Sequence, residues 1–176
     1  MPMLNEDITT QRTLLRKYEP TDQAEMIRLF MDKLVNHYMG NGPCKTKHHA
    51  LELFERIMQL YEKSLTDRHF EIWAIEIHKQ LAGHFELKES EYTENDELEV
   101  VYMLHKVHWG QGLMPEILRA VNTHAYTINR QLIATIDPEN IRTVRALEKV
   151  GITRQKWVDE GKDRTLKVWI ERLSDF

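Results

Sequence analysis

Leu98-Glu99-Val100-Val101-Tyr102-Met103-Leu104, followed by His108-Trp109-Gly110-Gln111-Gly112-Leu113-Met114-Pro115-Glu116, decides the fold of this 176-residue chain. The first run reads as a strand. The second turns through two closely spaced glycines into an amphipathic segment. A strand that turns abruptly into a helix leaves the first N–H groups of the helix without partners, at the end where the peptide dipoles favour negative charge. Such a turn is a seat for phosphate. The two glycines alone specify only a turn, since turns use glycine wherever φ is positive. The segment that follows adds more: Leu113, Ile117, Val121, His124 and Ile128 recur at helical spacing, so a helix there packs on a sheet while its amino end stays open.

Working outward, Leu132-Ile133-Ala134-Thr135-Ile136 reads as an apolar strand inside a sheet, and the helix between it and Leu98–Leu104 makes that pair parallel. Asp137 is expected to cap the next helix, with Pro138 at its first position, Ile141, Val144, Leu147 and Val150 on its buried side and Gly151 at its end. Towards the amino end, Phe70–Ile77 and Leu81–Leu87 read as antiparallel strands joined by a tight turn. A short strand over Thr13–Tyr18 stops at Pro20, a helix starts at Asp22 with Glu25 three residues on, and a second helix is expected from Lys47 to Ser64. The acidic tract Glu89–Glu97 reads as a solvated loop, and Thr153–Val158 with Thr165–Leu173 as a closing hairpin.

The run Glu99–Glu116 together with Asp137–Ile152 resembles the GNAT N-acetyltransferase superfamily. The Trp-Gly-x-Gly wording, the Asn-x-x-Thr beginning at Asn140 and the Glu148-Lys149-Val150-Gly151 ending are similar to its ribosomal-protein N-terminal (RimJ/RimL) branch, as is the opening Thr10–Arg16. The resemblance reaches nearly the whole chain. It implies one α/β domain over residues 1–176 with the acyl-CoA N-acyltransferase (GNAT) fold: a mixed, mostly antiparallel, seven-stranded sheet, splayed at its central strand, with helices on both faces. It implies acetyl-CoA as co-substrate and direct attack of a primary amine on the thioester. The expected acceptor is the α-amine of a protein or peptide N-terminus. The alternatives are a small amine such as a polyamine or aminoglycoside, or a CoA-binding regulatory protein without catalysis.

The resemblance also assigns residues. Backbone amides of Trp109, Gly110, Gln111, Gly112, Leu113 and Met114 would grip the pyrophosphate, and free backbone groups of Met103 and Leu104 would hold the pantetheine arm, which Asn140 also contacts. Thr143 stands where the branch has a serine whose hydroxyl bonds the departing thiolate. Glu99 is the expected general base, since a carboxylate in a cleft suits that task near neutrality; an acid in the Asp159–Asp163 turn is the second option. There are departures. Trp109 stands where much of the superfamily has Gln or Arg, Leu147 stands where many relatives carry a tyrosine acid, and Met114 stands where Gly or Ala is usual. A Met114 side chain lying in the cradle would weaken CoA binding. With only a modest base, an α-amine costs about 1 kcal/mol to deprotonate at pH 7, against about 4–5 for a lysine.

The rest of the composition excludes more than it assigns. A net charge of −4 offers nucleic acid no global attraction. The single cysteine, Cys44, forms no internal disulfide and belongs to no zinc-like cluster, and the histidines lack metal-ligand spacing, so no metal is expected. The amino end lacks a basic start and an apolar run, and no stretch reaches the roughly 18 apolar residues that span a bilayer. A cytoplasmic protein with no membrane or nucleic-acid partner is expected, with a homodimer joined through the carboxy-terminal strands.

Overall fold

The computed structural model describes residues 6–62, 68–159 and 165–172. Among them run β1 (Ile8–Thr9), β2 (Leu14–Arg16), α1 (Gln23–Met31), α2 (Lys47–Glu62), β3 (Phe70–Ile77), β4 (Gln80–Lys88), β5 (Glu97–Leu104), α3 (Leu113–Thr127), β6 (Gln131–Ile136), α4 (Ile141–Glu148), β7 (Ile152–Asp159) and β8 (Thr165–Ile170). The strands form one sheet in the order β1-β2-β3-β4-β5-β6-β8-β7. Only β5 and β6 pair in parallel; the other neighbours are antiparallel. The mixed, mostly antiparallel GNAT sheet is therefore present, with the two-residue β1 as an eighth strand. β1 is too short to carry a periodic signal.

The β3–β4 hairpin turns on His78 and Lys79, whose φ values of 50° and 62° give the left-handed pair that matches strand twist. β5 pairs with β4 along its length, from Lys88↔Glu99 to Gly83↔Leu104. Its pairing with β6 covers only Glu97↔Gln131, Leu98↔Leu132 and Glu99↔Ile133. Beyond Glu99 the two strands part, and the sheet opens at its middle.

Alternation along β5 sends its side chains to two different environments. Leu98, Val100, Tyr102 and Leu104 face a core built with α3 and α4. Glu97, Glu99, Val101 and Met103 face the opposite side, where α1 and α2 pack through Met26, Phe54, Ile57 and Leu60 on Ile72 and Ala74.

Several helix limits differ from the sequence expectation. α2 is described as far as Glu62, and its expected end at Ser64 lies outside the described residues. α3 ends at Thr127, leaving Ile128 beyond it and 40% exposed. Asp22 does not cap α1 through its side chain; it is buried, accepts from the Glu19 N–H and pairs with Arg16. Asp137 accepts from the Glu139 N–H, so α4 starts three residues later than expected, with Asn140 as its cap. That rotates Ile141 out to 51% exposure, while Leu147 and Val150 stay buried.

Under α3, the buried Glu71 lies 3.0 Å from His69 Nε2 and 3.1 Å from His124 Nε2. Burial pushes the Glu71 carboxyl up, but hydrogen bonds from His124 and His69 outweigh it and hold it below its ordinary value. The hydrogen bond to Glu71 raises His124. The raised histidine stabilises the fold fully below its unfolded value, near 6.5, and that share is lost as pH rises through the folded value. The lowered carboxylate stabilises above about 4.5, and that share is lost as pH falls through its folded value. The pair therefore contributes most between about pH 4.5 and 6.5. The His124→Gln variant is expected to flatten the stability profile across pH 6–8 by about 1 kcal/mol, read from urea midpoints.

Candidate active site

β5 delivers its end to a turn that leaves α3 with an open amino terminus. Gly110 and Gly112 have φ of 74° and 73°, the left-handed conformation that glycine adopts without cost, and Gly112 is the N-cap of α3 with no side chain capping the helix. Among the described residues, the N–H groups of Gly110, Gln111, Gly112, Leu113 and Met114 find no acceptor. The space around Gly110 is open, and at Gly112 an added Cβ would meet only the Arg12 guanidinium, at 3.8 Å. Five converging amides, a helix dipole and a nearby cation fit a diphosphate. The Leu113 and Met114 side chains are buried in the core under α3, so Met114 lies outside the cradle.

Arg12 is held at the cradle's rim by a 2.8 Å ion pair to Glu116 and by donation to the Gln111 carbonyl at 2.8 Å. Burial pushes the Glu116 carboxyl up, but bonds from Thr10 and Arg12 keep it below its ordinary value, so this first-turn acid is neutralised. Arg142 of α4 lies 3.6 Å above the ring of Trp109, a second guanidinium beside the turn. The Trp109 indole N–H donates to the Leu104 carbonyl at 2.7 Å and ties the turn to the strand.

The parted strands supply the second feature. The His105 N–H donates to the Ala82 carbonyl, and in an antiparallel ladder the paired residues alternate. Met103 and Val101 therefore direct their backbone groups at β4, and Val100, Tyr102 and Leu104 direct theirs into the opening towards β6. Of the two residues expected to offer backbone groups there, Leu104 faces the opening and Met103 does not.

Glu99 sits where the opening starts, 5% exposed, and accepts a hydrogen bond from the Thr135 hydroxyl of β6. Thr143, in the first turn of α4, lies on the other face of the sheet with its hydroxyl next to that of Tyr102. Asn140 uses its side-chain oxygen to accept the Thr143 N–H at 3.3 Å. The connection between α1 and α2 reaches across to this region, where the Tyr38 hydroxyl donates to the Glu139 carbonyl at 3.2 Å. Of the Asp159–Asp163 turn, the other candidate source of a base, Asp159 ends β7 and Glu160–Asp163 lie outside the described residues.

On the Glu99 face, an open groove of about 400 Å³ is lined by Glu91, Tyr92, Glu94, Lys156, Trp157 and Lys167. Lys167 lies directly opposite Thr135 in the β6–β8 ladder, so the groove ends one strand away from Glu99. Sequence reading missed Arg12 as a rim cation, Arg142, Thr135, Tyr102 and this groove. Each depends on a contact between residues far apart in the chain, and only the charge of the Glu89–Glu97 tract hinted at any of them.

Turn, opening and carboxylate together fit acyl transfer on a split sheet, and the family of the chain follows from comparison with known proteins. Residues 12–153 match the family model described as an acetyltransferase (GNAT) domain. The chain belongs to the GNAT acetyltransferase family, and its activity is acetyl-CoA-dependent N-acetyl transfer. It is 25% identical over 175 residues to an uncharacterized N-acetyltransferase p20 of Bacillus licheniformis, covering 96% of each chain. Among solved structures it is similar to RimJ of Mycobacterium smegmatis in complex with CoA-disulfide, with a TM-score of 0.74, 15% identity, and coverage of 95% of this chain and 87% of that one. It is likewise similar to spermidine N-acetyltransferase of Vibrio cholerae in complex with CoA and spermine, with a TM-score of 0.73, 18% identity, and coverage of 92% and 96%.

Proposed function

We propose that the protein acetylates the α-amine of a peptide or protein N-terminus, in the manner of the RimJ/RimL branch, with Glu99 as general base. The observation that carries this reading is the groove across β6 from Glu99, whose walls combine carboxylates, ammonium groups and aromatic rings. Walls of both signs suit a chain end that offers one positive amine followed by neutral peptide groups, and Lys156 disfavours a polycation. The α-amine is also the cheaper acceptor, by about 3–4 kcal/mol relative to a lysine at pH 7.

The donor thioester supplies an activated acyl carbon, and the chain does the rest. The amides of Gly110–Met114, with Arg12 at their rim, hold the diphosphate. The backbone of Val100, Tyr102 and Leu104 lines the opening through which the arm passes. The amine, guided along the groove, meets the acyl carbon from the Glu99 face, and Glu99 takes its proton directly or through a water. Thr143 stands on the opposite face, where the leaving sulphur is expected.

The test compares a library of N-terminally varied peptides with spermidine and an aminoglycoside as acceptors, each with acetyl-CoA. Peptide α-amines are expected to give the highest kcat/KM; a tenfold preference for spermidine or the aminoglycoside would replace this reading with small-amine acetylation. Isothermal titration probes the donor seat separately. Gly112→Val sets a β-branched side chain at a left-handed φ beside the cradle and is expected to weaken acetyl-CoA binding about tenfold or more with secondary structure retained. Unchanged affinity would remove the seat from its proposed place.

A further inference from the structure

Tyr102 presents an anomaly on the central strand. Its hydroxyl is sealed from solvent and has no hydrogen-bond partner of good geometry. A buried hydroxyl left unbonded is costly and calls for an explanation. The ring is fixed by stacking on Phe85, with centroids 5.9 Å apart and planes at 15°, so it is not poised to swing out to water. The neighbouring hydroxyl is that of Thr143, on α4 across the opening.

The position of Tyr102 gives the hydroxyl a use. It lies three residues beyond Glu99, past the last parallel pair, on a stretch whose backbone opens towards β6. Three residues of strand span about 10 Å and reverse the facing, so Glu99 and Tyr102 lie on opposite faces of the sheet. A direct transfer can use that arrangement when water relays the proton to Glu99: a proton acceptor on the side from which the amine comes, and hydrogen-bond donors on the side to which the sulphur goes.

We propose that Tyr102 is a catalytic residue whose hydroxyl, paired with that of Thr143, donates a hydrogen bond to the sulphur as it leaves. This rests on the acetyl-transfer reading above. As the amine nitrogen forms the new C–N bond, the C–S bond breaks, the sulphur departs with the bonding pair, and the proton released from nitrogen passes to Glu99. The two hydroxyls hold the developing negative charge without giving up their protons. Burial pushes the phenol up to about 12, and the Thr143 hydroxyl draws it down only in part, so Tyr102 remains a donor throughout the neutral range. In the free protein the hydroxyl has only the Thr143 hydroxyl beside it, without good hydrogen-bond geometry, and the sulphur of the donor would supply the missing acceptor.

The discriminating variant is Tyr102→Phe, which removes one oxygen and keeps the stacked ring. Three measurements decide. In the free protein, Tm is expected to stay level or rise, because an unpaired buried hydroxyl has been removed. In steady state, kcat is expected to fall about 10- to 100-fold, the loss of one hydrogen bond to a charged group, with KM for acetyl-CoA changed less than about threefold. In calorimetric titration, CoA is expected to bind the wild-type protein more tightly as pH rises through its thiol pKa, and Tyr102→Phe is expected to lose most of that gain. A lowered Tm with kcat unchanged would mean a structural bond to Thr143 and would overturn the proposal. So would a pH-dependent CoA affinity identical in the two proteins. Wild-type protein that binds no acetyl-CoA would overturn both this proposal and the reading beneath it, whereas a fully active Tyr102→Phe variant would remove only the role of Tyr102.

Discussion

The Glu99→Gln variant is expected to lose about 10²- to 10⁴-fold in kcat while binding acetyl-CoA as the wild type does, the range over which positioned proton acceptors contribute to catalysis. Glutamine keeps the size of the side chain and an oxygen for the Thr135 hydroxyl, so the opening between β5 and β6 should keep its shape. What is lost is the capacity to take a proton at the point where the strands part. Calorimetry with acetyl-CoA and steady-state kinetics on the same preparation separate the two effects. Full turnover by this variant would end the role proposed for Glu99. A fall in donor affinity matching the fall in kcat would show that the carboxylate shapes the site and does not serve as its base.

The second large effect concerns stability. Glu97, two residues earlier on the same face, is 2% exposed and holds a ring of donors: Lys167 Nζ at 2.7 Å, the Trp169 indole N–H and the backbone N–H of Glu94 at 2.9 Å. Arg154 lies 3.5 Å away and stacks over Trp169. Burial pushes the Glu97 carboxyl up, but the bond from Lys167 and those from Glu94 and Trp169 outweigh it and hold it below its ordinary value. A carboxylate lowered in the folded state stabilises above its unfolded value, about 4.5, and loses that contribution as pH falls through the folded value. Glu97→Ala would strand the ammonium of Lys167, itself 4% exposed, and is expected to cost about 3–5 kcal/mol in denaturant unfolding at pH 7. Combining Glu97→Leu with Lys167→Met is expected to recover most of that loss, since an apolar pair strands no charge. A Glu97→Ala protein as stable as the wild type would show that water reaches Lys167.

The parts legible in the sequence were those written in local patterns. The strand, the glycine turn and the helix from Leu98 onward, and the stretch from Leu132 to Gly151, carry periodicities of 2 and 3.6 that survive folding because packing reinforces them. The helix start differs from the expectation at Asp137 because two Asx residues three positions apart compete for one task. Asp137 caps a turn and Asn140 caps the helix, and only the backbone path decides between them. Ile141 is expected inside for the same reason; with the later start it becomes the first helical residue and lies exposed, while Leu147 and Val150 keep the buried face. Arg12 at Gln111, Thr135 at Glu99 and Tyr102 beside Thr143 join residues 36 to 99 positions apart or on different elements, and no short window contains both partners. The Glu89–Glu97 tract reads in sequence as a solvated loop. Part of it lines the groove, Glu89 binds Arg130, and Glu97 is among the most deeply buried charges in the chain.

Because β5 and β6 touch over three residue pairs and then separate, this protein carries a sheet edge in its own interior. Outer edges are hazards that proteins blunt with charge, brevity or cover, since any extended chain can add to them. The inner edge along Val100–Leu104 is guarded differently: α3 and α4 pack against it on one face, and Trp109 occupies one of its carbonyls. What remains open is the set of backbone groups of Val100, Tyr102 and Leu104 that β6 leaves unpaired, a ladder for an amide-bearing tether. A defect that would invite aggregation at the rim becomes, at the centre, a means of choosing which molecules can enter.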